Sequence, residues 1–142
     1  MKIIVVSGGF DPIHSGHLAY LDSAKSLGDK LIVALNSDQW LSKKKGKPFM
    51  PFNERKLILQ ALGVVDQVVA FADDDVGSCT NALKQIKAEN PQDDIVFANG
   101  GDRNKDNIPE MKVNDISLVF GVGGNDKMNS SSKIINDFYK NQ

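Results

Sequence analysis

The sequence has little cysteine, little net charge and no long apolar run. Its single cysteine, Cys79, cannot form an internal disulfide, which agrees with a reducing compartment. Seventeen basic residues face eighteen acidic ones, and the formal net charge of −1 excludes the broad positive field by which proteins bind nucleic acid or anionic membranes. No stretch resembles a signal peptide or a membrane span. We therefore expect a cytoplasmic protein, with no nucleic-acid or membrane partner, whose affinity for anions is local.

Short apolar runs alternate along the chain with helical patterns. The length and the 41% of apolar residues suit one domain over residues 1–142. Continuous β-branched runs predict buried strands at 2–6, 30–35, 64–71, 94–98 and 116–120. Helices are predicted at 18–27 with Gly28 as its stop, at 54–62 with Asn53 as its cap, at 81–89 and at 131–139. Loops are predicted at 42–47, 99–107 and 121–130. This alternation predicts an α/β three-layer sandwich around a five-stranded parallel sheet.

Both histidines of the chain lie in the turn that follows the first predicted strand, Gly8-Gly9-Phe10-Asp11-Pro12-Ile13-His14-Ser15-Gly16-His17. A buried strand that leads through glycines into a helix is where α/β proteins bind phosphate. The turn does not match the dinucleotide fingerprint, because Pro12-Ile13 replaces its third glycine, and it lacks the Gly-Lys-Ser/Thr of a P-loop. A phosphate site with two imidazole donors remains, and a dehydrogenase is disfavoured.

The turn resembles the Gly-x-Phe-Asp-x-x-His-x-Gly-His signature of the nucleotidyltransferase superfamily, with Asp11, His14, Gly16 and His17 in register. The segment 27–38 resembles cytidylyltransferase-like members that activate sugar or polyol phosphates. Heptose 1-phosphate adenylyltransferases are the most similar of these, and glycerol 3-phosphate cytidylyltransferases come next. The resemblance implies a Rossmann-like fold and transfer of a nucleoside monophosphate from ATP or CTP to a small sugar or polyol phosphate. It also implies release of pyrophosphate, Mg²⁺ carried by the nucleotide, and a homodimer as the usual assembly.

The resemblance assigns roles to the residues of the histidine turn. His14 and His17 would be catalytic, because their counterparts contact the nucleotide phosphates and stabilise charge at the attacked α-phosphorus. The other residues of the turn that the resemblance assigns to nucleotide binding are Gly8, Gly9, Phe10, Asp11 and Gly16. Among them, Asp11 would order the turn.

The lysine run that follows the second strand is open to two interpretations. A solvated, flexible loop is the usual explanation for such a run. The resemblance instead makes Lys45 catalytic and places Lys47 on the acceptor phosphate. It also gives Arg55, at the start of the next helix, a role in holding the acceptor phosphate, although alone it would pass for a surface arginine.

Two later segments complete the expected site. The segment Asn99-Gly100-Gly101-Asp102-Arg103 resembles a Gly-Gly-Asp turn that lies against the nucleobase and ribose, and the resemblance assigns Gly101, Asp102 and Arg103 to the nucleotide. An ordinary strand-to-loop turn would also use these glycines. The serines that open the last helix suit the β- and γ-phosphates, with Ser131 as the catalytic one and Ser130 and Ser132 as nucleotide ligands; a plain serine cap is the alternative. Lys127 stands where cytidylyltransferases typically carry arginine, which leaves the base open. A nucleotide-binding module without turnover is the competing hypothesis.

Overall fold

The computed structural model describes residues 1–100, 110, 113, 115–123 and 131–140. Within them, strands and helices alternate as follows: β1 Lys2–Gly8, α1 Ser15–Lys25, β2 Lys30–Leu35, α2 Asp38–Lys45, α3 Phe52–Ala61, β3 Gln67–Val69, α4 Thr80–Glu89, β4 Asp94–Ala98, β5 Ile116–Val119 and α5 Ser131–Lys140. Among the helices of this described part, none is long and apolar enough to cross a membrane.

The five strands form one parallel sheet in the order β3-β2-β1-β4-β5, which confirms the predicted α/β fold with a five-stranded parallel sheet. From β1 the chain moves outward through β2 to β3 and then crosses back to β4 on the other side of β1. The order therefore reverses between β1 and β4. In parallel sheets, ligands bind beyond the carboxyl ends of the strands at such a reversal, and the histidine turn leaves β1 at that edge.

The core has two halves because successive strand residues face opposite sides of the sheet. Ile4 and Val6 of β1 pack on one face with residues of α1 and α3, whereas Ile3 and Val5 pack on the other face with residues of α4. All four of these side chains are fully buried. Burial on both faces explains why β1 reads as a continuous apolar run, and it fixes the strand that carries the histidine turn.

The structure corrects several predicted element bounds near this edge. The predicted loop 42–47 contains the end of α2, a polar helix in which only Leu41 is buried and which therefore shows no apolar periodicity. Helix α1 begins at Ser15 instead of residue 18, and α3 begins at Phe52 after Pro51, so Asn53 lies inside it and does not cap it. β3 is shorter than the predicted 64–71.

Gly28 does not stop α1, which ends at Lys25 with Ser26 as its cap. The glycine is required by packing, because a Cβ there would lie 2.8 Å from the carbonyl oxygen of Lys2 and 2.8 Å from Cγ1 of Ile4. Its place in the sequence reflects the close approach of the α1–β2 connection to β1.

Candidate functional site

The glycine pair after β1 makes room for side chains as well as for backbone. Phe10 has φ of 50°, in the left-handed region, and its ring is buried under the turn. A Cβ at Gly8 would lie 3.0 Å from that ring, and a Cβ at Gly9 would lie 2.7 Å from Cδ2 of Leu41. A side chain at either position would crowd Phe10 or Leu41, so the two glycines allow the turn to lie close over Phe10 and against α2.

The two histidines cap α1 reciprocally. His14 is the N-cap residue, with extended backbone, and its Nδ1 accepts the N–H of Gly16 at 3.1 Å. His17, three residues later, accepts the N–H of His14 on its own Nδ1 at 3.2 Å. This is a capping box in which imidazoles take the places usually filled by Ser/Thr and Glu. Gly16 contributes its N–H to this cap.

Nδ1 acceptance determines where each ring carries its proton. An imidazole whose Nδ1 accepts a hydrogen bond has its N–H on Nε2, so Nε2 of His14 and of His17 is a donor. The rings stack with centroids 3.8 Å apart and an interplanar angle of 25°, and Phe10 lies 4.8 Å from His17. Burial, and secondarily the charge of a protonated His14, lowers the pKa of His17 to about 4. His17 is therefore neutral near pH 7, with Nε2–H as its donor.

Asp11 connects the histidine turn to the segment between α2 and α3. Its carboxylate is 2% exposed and accepts the N–H groups of Phe49 and Met50, each at 2.6 Å. Lys45 pairs with Oδ2 of Asp11 at 2.9 Å and also donates to its carbonyl oxygen at 2.6 Å. Lys45 thus lies beside the turn, held by Asp11. Contact between its ammonium and a phosphate would use the side of the group that faces away from the carboxylate.

Arg55 occupies a different position from the one expected of an acceptor ligand. Its side chain is fully buried and donates to the carbonyl oxygens of Gly9, Asn36 and Met50 at 2.8–3.0 Å. Its Nη2 forms an ion pair with Asp38 at 2.7 Å. An acceptor phosphate could reach the guanidinium only if these bonds were broken. In this structure Arg55 joins the segments that follow β1 and β2 to the start of α3.

The remaining lysines lie on and after the last turn of α2, where cations suit the negative end of the helix dipole. Lys44 sits 4.7 Å above the ring of Trp40, whose indole N–H donates to the carbonyl of Gly77. Lys43 and Lys47 are exposed. The α2 terminus therefore places a cluster of positive charge beside Asp11 and the histidine turn.

The carboxyl end of β4 forms the other side of the site. The hydroxyl of Tyr20 donates to the carbonyl of Ala98, and its ring packs against Gly100. The neighbouring Asn99 is 1% exposed, and among the described residues its Oδ1 has no hydrogen-bond partner. Tyr20 and Ala98 were not among the expected site residues, whereas Asn99 and Gly100 belong to the segment that the resemblance places against the nucleobase and ribose. The spacing of Tyr20, three after His17 and so on the same helix face, is a signal that could have singled it out.

Several of the expected site residues lie outside the part of the chain that the structure describes. Gly101, Asp102, Arg103 and Ser130 lie outside the described residues, as do the side chains of Ser131 and Ser132. The backbone of the last two forms the first turn of α5. Their assignments stay predictions from the sequence.

A glycine turn and paired histidines at the reversal point of a parallel sheet define a nucleotide-binding α/β protein. The chain belongs to the cytidylyltransferase-like family, whose model matches residues 5–136. Membership of this family classes the protein among the nucleotidyltransferases.

Similar proteins agree with this placement. The chain is 34% identical over 148 residues to the bifunctional protein HldE of Pseudomonas putida, a match that covers 99% of the chain and 28% of HldE. The fold is similar to that of the lipopolysaccharide core biosynthesis protein from Thermoplasma volcanium, with a TM-score of 0.66, 23% identity, and coverage of 91% of this chain and 99% of that one. It is also similar to a bifunctional NMN adenylyltransferase/ADP ribose pyrophosphatase from Francisella tularensis, solved with AMP and a Mn ion, with a TM-score of 0.64, 19% identity, and coverage of 99% of this chain and 42% of that one. The chain thus spans well under half of HldE.

Proposed function

We propose that this protein transfers the nucleoside monophosphate of ATP or CTP to a small sugar or polyol phosphate and releases pyrophosphate. The observation that carries the proposal is the histidine capping box, which engages Nδ1 of both rings at the start of α1 and so places the N–H donor of each ring on Nε2. A heptose 1-phosphate-like acceptor is favoured, because HldE homologues suggest a heptose 1-phosphate adenylyltransferase and the similarity to HldE extends over nearly the whole chain. A nucleoside triphosphate substrate is also consistent with the expected cytoplasmic location.

The proposed reaction needs little acid–base chemistry from the protein. An acceptor phosphate already carries a nucleophilic oxygen, which attacks the α-phosphorus of the triphosphate as the bond to the leaving pyrophosphate breaks. Negative charge then grows on the α-phosphoryl and bridging oxygens. His14 and His17 would donate hydrogen bonds to those oxygens, and the N-terminus of α1 adds its positive dipole end. Fixed donors of this kind stabilise the transition state without reorganising.

Positive charge on the β2 side of the site suits binding of the acceptor phosphate and of the leaving pyrophosphate. Lys45 is held next to the turn by Asp11, and Lys47 follows it in an exposed position. We assign these lysines to the incoming phosphate and to pyrophosphate. Arg55 would act indirectly, because its hydrogen bond to the carbonyl oxygen of Gly9 fixes the backbone of the turn.

Mg²⁺ would enter with the nucleotide and supply further charge neutralisation on the phosphates when bound. In such sites most of its ligands are phosphate oxygens and water. Asp11 is unsuited to hold it, because its oxygens already accept two amide N–H groups and pair with Lys45. The donor set near the turn therefore fits an ion bound through the triphosphate.

The decisive experiment measures pyrophosphate release with Mg²⁺ for ATP and CTP, each crossed with heptose 1-phosphate, glycerol 3-phosphate and other small sugar phosphates. We expect one pair to be turned over. His17→Ala should lower its kcat by about 10²- to 10³-fold, as removal of one transition-state donor does elsewhere. Lys84→Ala, on the exposed side of α4, is the matched control and should retain wild-type rates.

The same grid distinguishes the alternatives. Turnover of CTP with glycerol 3-phosphate would identify a glycerol 3-phosphate cytidylyltransferase. Nucleotide binding, seen by calorimetry, without pyrophosphate release from any pair would indicate the non-catalytic module. A protein that neither binds nor turns over any nucleotide would contradict the proposal.

A further inference from the structure

Tyr20 lies on α1 one turn after His17 and reaches across the switch point. Its hydroxyl donates to the carbonyl of Ala98, the last residue of β4. β4 is the neighbour of β1 on the side away from β2, so this hydrogen bond joins the helix that carries the histidines to the opposite side of the crevice. Tyr20 is half-buried, and part of its surface remains accessible.

Two glycines, one after β4 and one after β5, lie close to this tyrosine. A Cβ at Gly100, just after β4, would lie 3.1 Å from ring carbons of Tyr20 and 3.1 Å from the carbonyl oxygen of Val122. Gly123, after β5, has φ of +81°, and a Cβ there would lie 3.2 Å from Cα of Tyr20. Gly100 and Gly123 therefore both lie close against the same residue.

The place of Tyr20 bears on where the nucleoside would lie. The histidines and the start of α1 suit phosphates, and the lysines and Asp11 occupy the side toward β2. A nucleoside attached to those phosphates would extend the other way, toward the ends of β4 and β5. On this reasoning Gly100 and Gly123 border the nucleoside.

We propose that Tyr20 is a positioning residue that sets the width of the nucleoside site by holding Gly100 and Gly123, which follow β4 and β5, against the histidine helix. The inference rests on the proposed function and extends it to a residue outside the histidine signature. Tyr20 acts through Ala98, Gly100 and Gly123 and takes no part in bond making or breaking. Its loss should weaken nucleotide binding while the rate of the bound complex is retained.

The test compares Tyr20→Phe, which keeps the ring and removes the hydroxyl, with Tyr139→Phe, which makes the same change on an exposed tyrosine of α5. Binding of ATP and CTP with Mg²⁺ is measured by calorimetry, and KM and kcat by pyrophosphate release. One hydrogen bond predicts a rise in nucleotide Kd and KM of about three- to tenfold for Tyr20→Phe, with kcat within about twofold. Tyr139→Phe should match wild type.

A second pair of variants tests the ring contact. Gly100→Ala should raise the nucleotide Kd because its Cβ would push the loop from the tyrosine ring. Tyr20→Leu removes part of that ring, so the double variant should lose less affinity than the two single losses together predict. Strictly additive losses would contradict the contact.

The outcomes separate this inference from the function on which it rests. If wild type binds nucleotide and Tyr20→Phe binds it equally well, the positioning role is wrong and the proposed function stands. A fall in kcat with unchanged Kd and KM would also overturn it, because that result would assign Tyr20 to the chemical step. If wild type binds neither nucleotide, the proposed function and this inference fail together.

Discussion

Replacement of Arg55 by methionine tests whether the buried guanidinium supports the site or binds substrate. Methionine fills similar volume but leaves the carbonyls of Gly9, Asn36 and Met50 without their donor. Hydrogen bonds from a charged donor contribute about 1.5–3 kcal/mol each, and breaking a buried ion pair costs about 3–5 kcal/mol. Asp38 is 41% exposed and regains water when its partner is lost, which reduces that cost. With the three hydrogen bonds taken at the low end of that range and no further cost counted for the solvated ion pair, we expect the free energy of unfolding to fall by about 4–5 kcal/mol.

That loss is large beside the roughly 5–15 kcal/mol that stabilises an ordinary domain. Urea unfolding followed by far-ultraviolet circular dichroism measures it directly, with the midpoint compared at a common slope. Arg55→Lys keeps the charge, yet a single ammonium cannot reach all four oxygens, so it should lose an intermediate amount. Lys56→Met, at the next position of α3, controls for removal of a cation from this helix and should cost under about 1 kcal/mol.

A stable Arg55→Met protein would refute this reasoning. If its unfolding free energy matched that of Lys56→Met while the KM for the acceptor rose steeply, Arg55 would be a phosphate ligand, as the sequence resemblance implies. A destabilised variant whose residual folded fraction kept the wild-type acceptor KM would instead establish the supporting role.

Two further predictions concern pH and packing. Because the pKa of His17 is lowered to about 4 in the folded protein, against 6.5 in an unfolded chain, the unfolded state takes up a proton first as pH falls. The contribution of His17 to the free energy of unfolding should be constant above pH 6.5 and fall by about 3 kcal/mol between pH 6.5 and 4. Urea titrations should therefore show a weaker decline in stability for His17→Gln than for wild type. Equal declines would contradict the assignment. Gly28→Ala should cost about 1–3 kcal/mol through backbone overlap, whereas Gly63→Ala, where a Cβ meets nothing within 4 Å, should leave the melting temperature nearly unchanged; equal melting temperatures would count against the packing argument.

The sheet could be predicted from the sequence because its strands are buried on both faces. The runs at 30–35 and 94–98 are continuously apolar, and the structure gives strands with those bounds. Helix α2 could not be predicted in the same way. It is nearly all polar, and what stabilises it is a serine cap at Ser37 and lysines at its last turn. Neither feature produces an apolar period.

The site was predictable in its local part and not in its long-range part. The histidine turn is a contiguous motif whose residues are neighbours in sequence, so its geometry follows from a strand, a turn and a helix start. Except for the bond from Arg55 to Met50, the hydrogen bonds of Arg55 and Tyr20 reach partners 17 to 78 residues away in the chain. Pairing across such distances depends on strand order, which periodicity alone does not give.

Arg55 and Tyr20, whose contacts are distant in sequence, support the histidine turn from opposite sides. On the β2 side, Arg55 fixes the carbonyl of Gly9, and the turn's own Asp11 secures the segment before α3. On the β4 side, Tyr20 fixes the strand end across the crevice. A transferase that works by placing two phosphates in line gains most from such rigidity, because small displacements of donors cost much of their effect. This is why buried and half-buried residues that touch no phosphate belong to the same functional unit as the histidines, and why variants at the two sides should differ in effect, with Arg55→Met lowering stability and Tyr20→Phe raising the nucleotide KM.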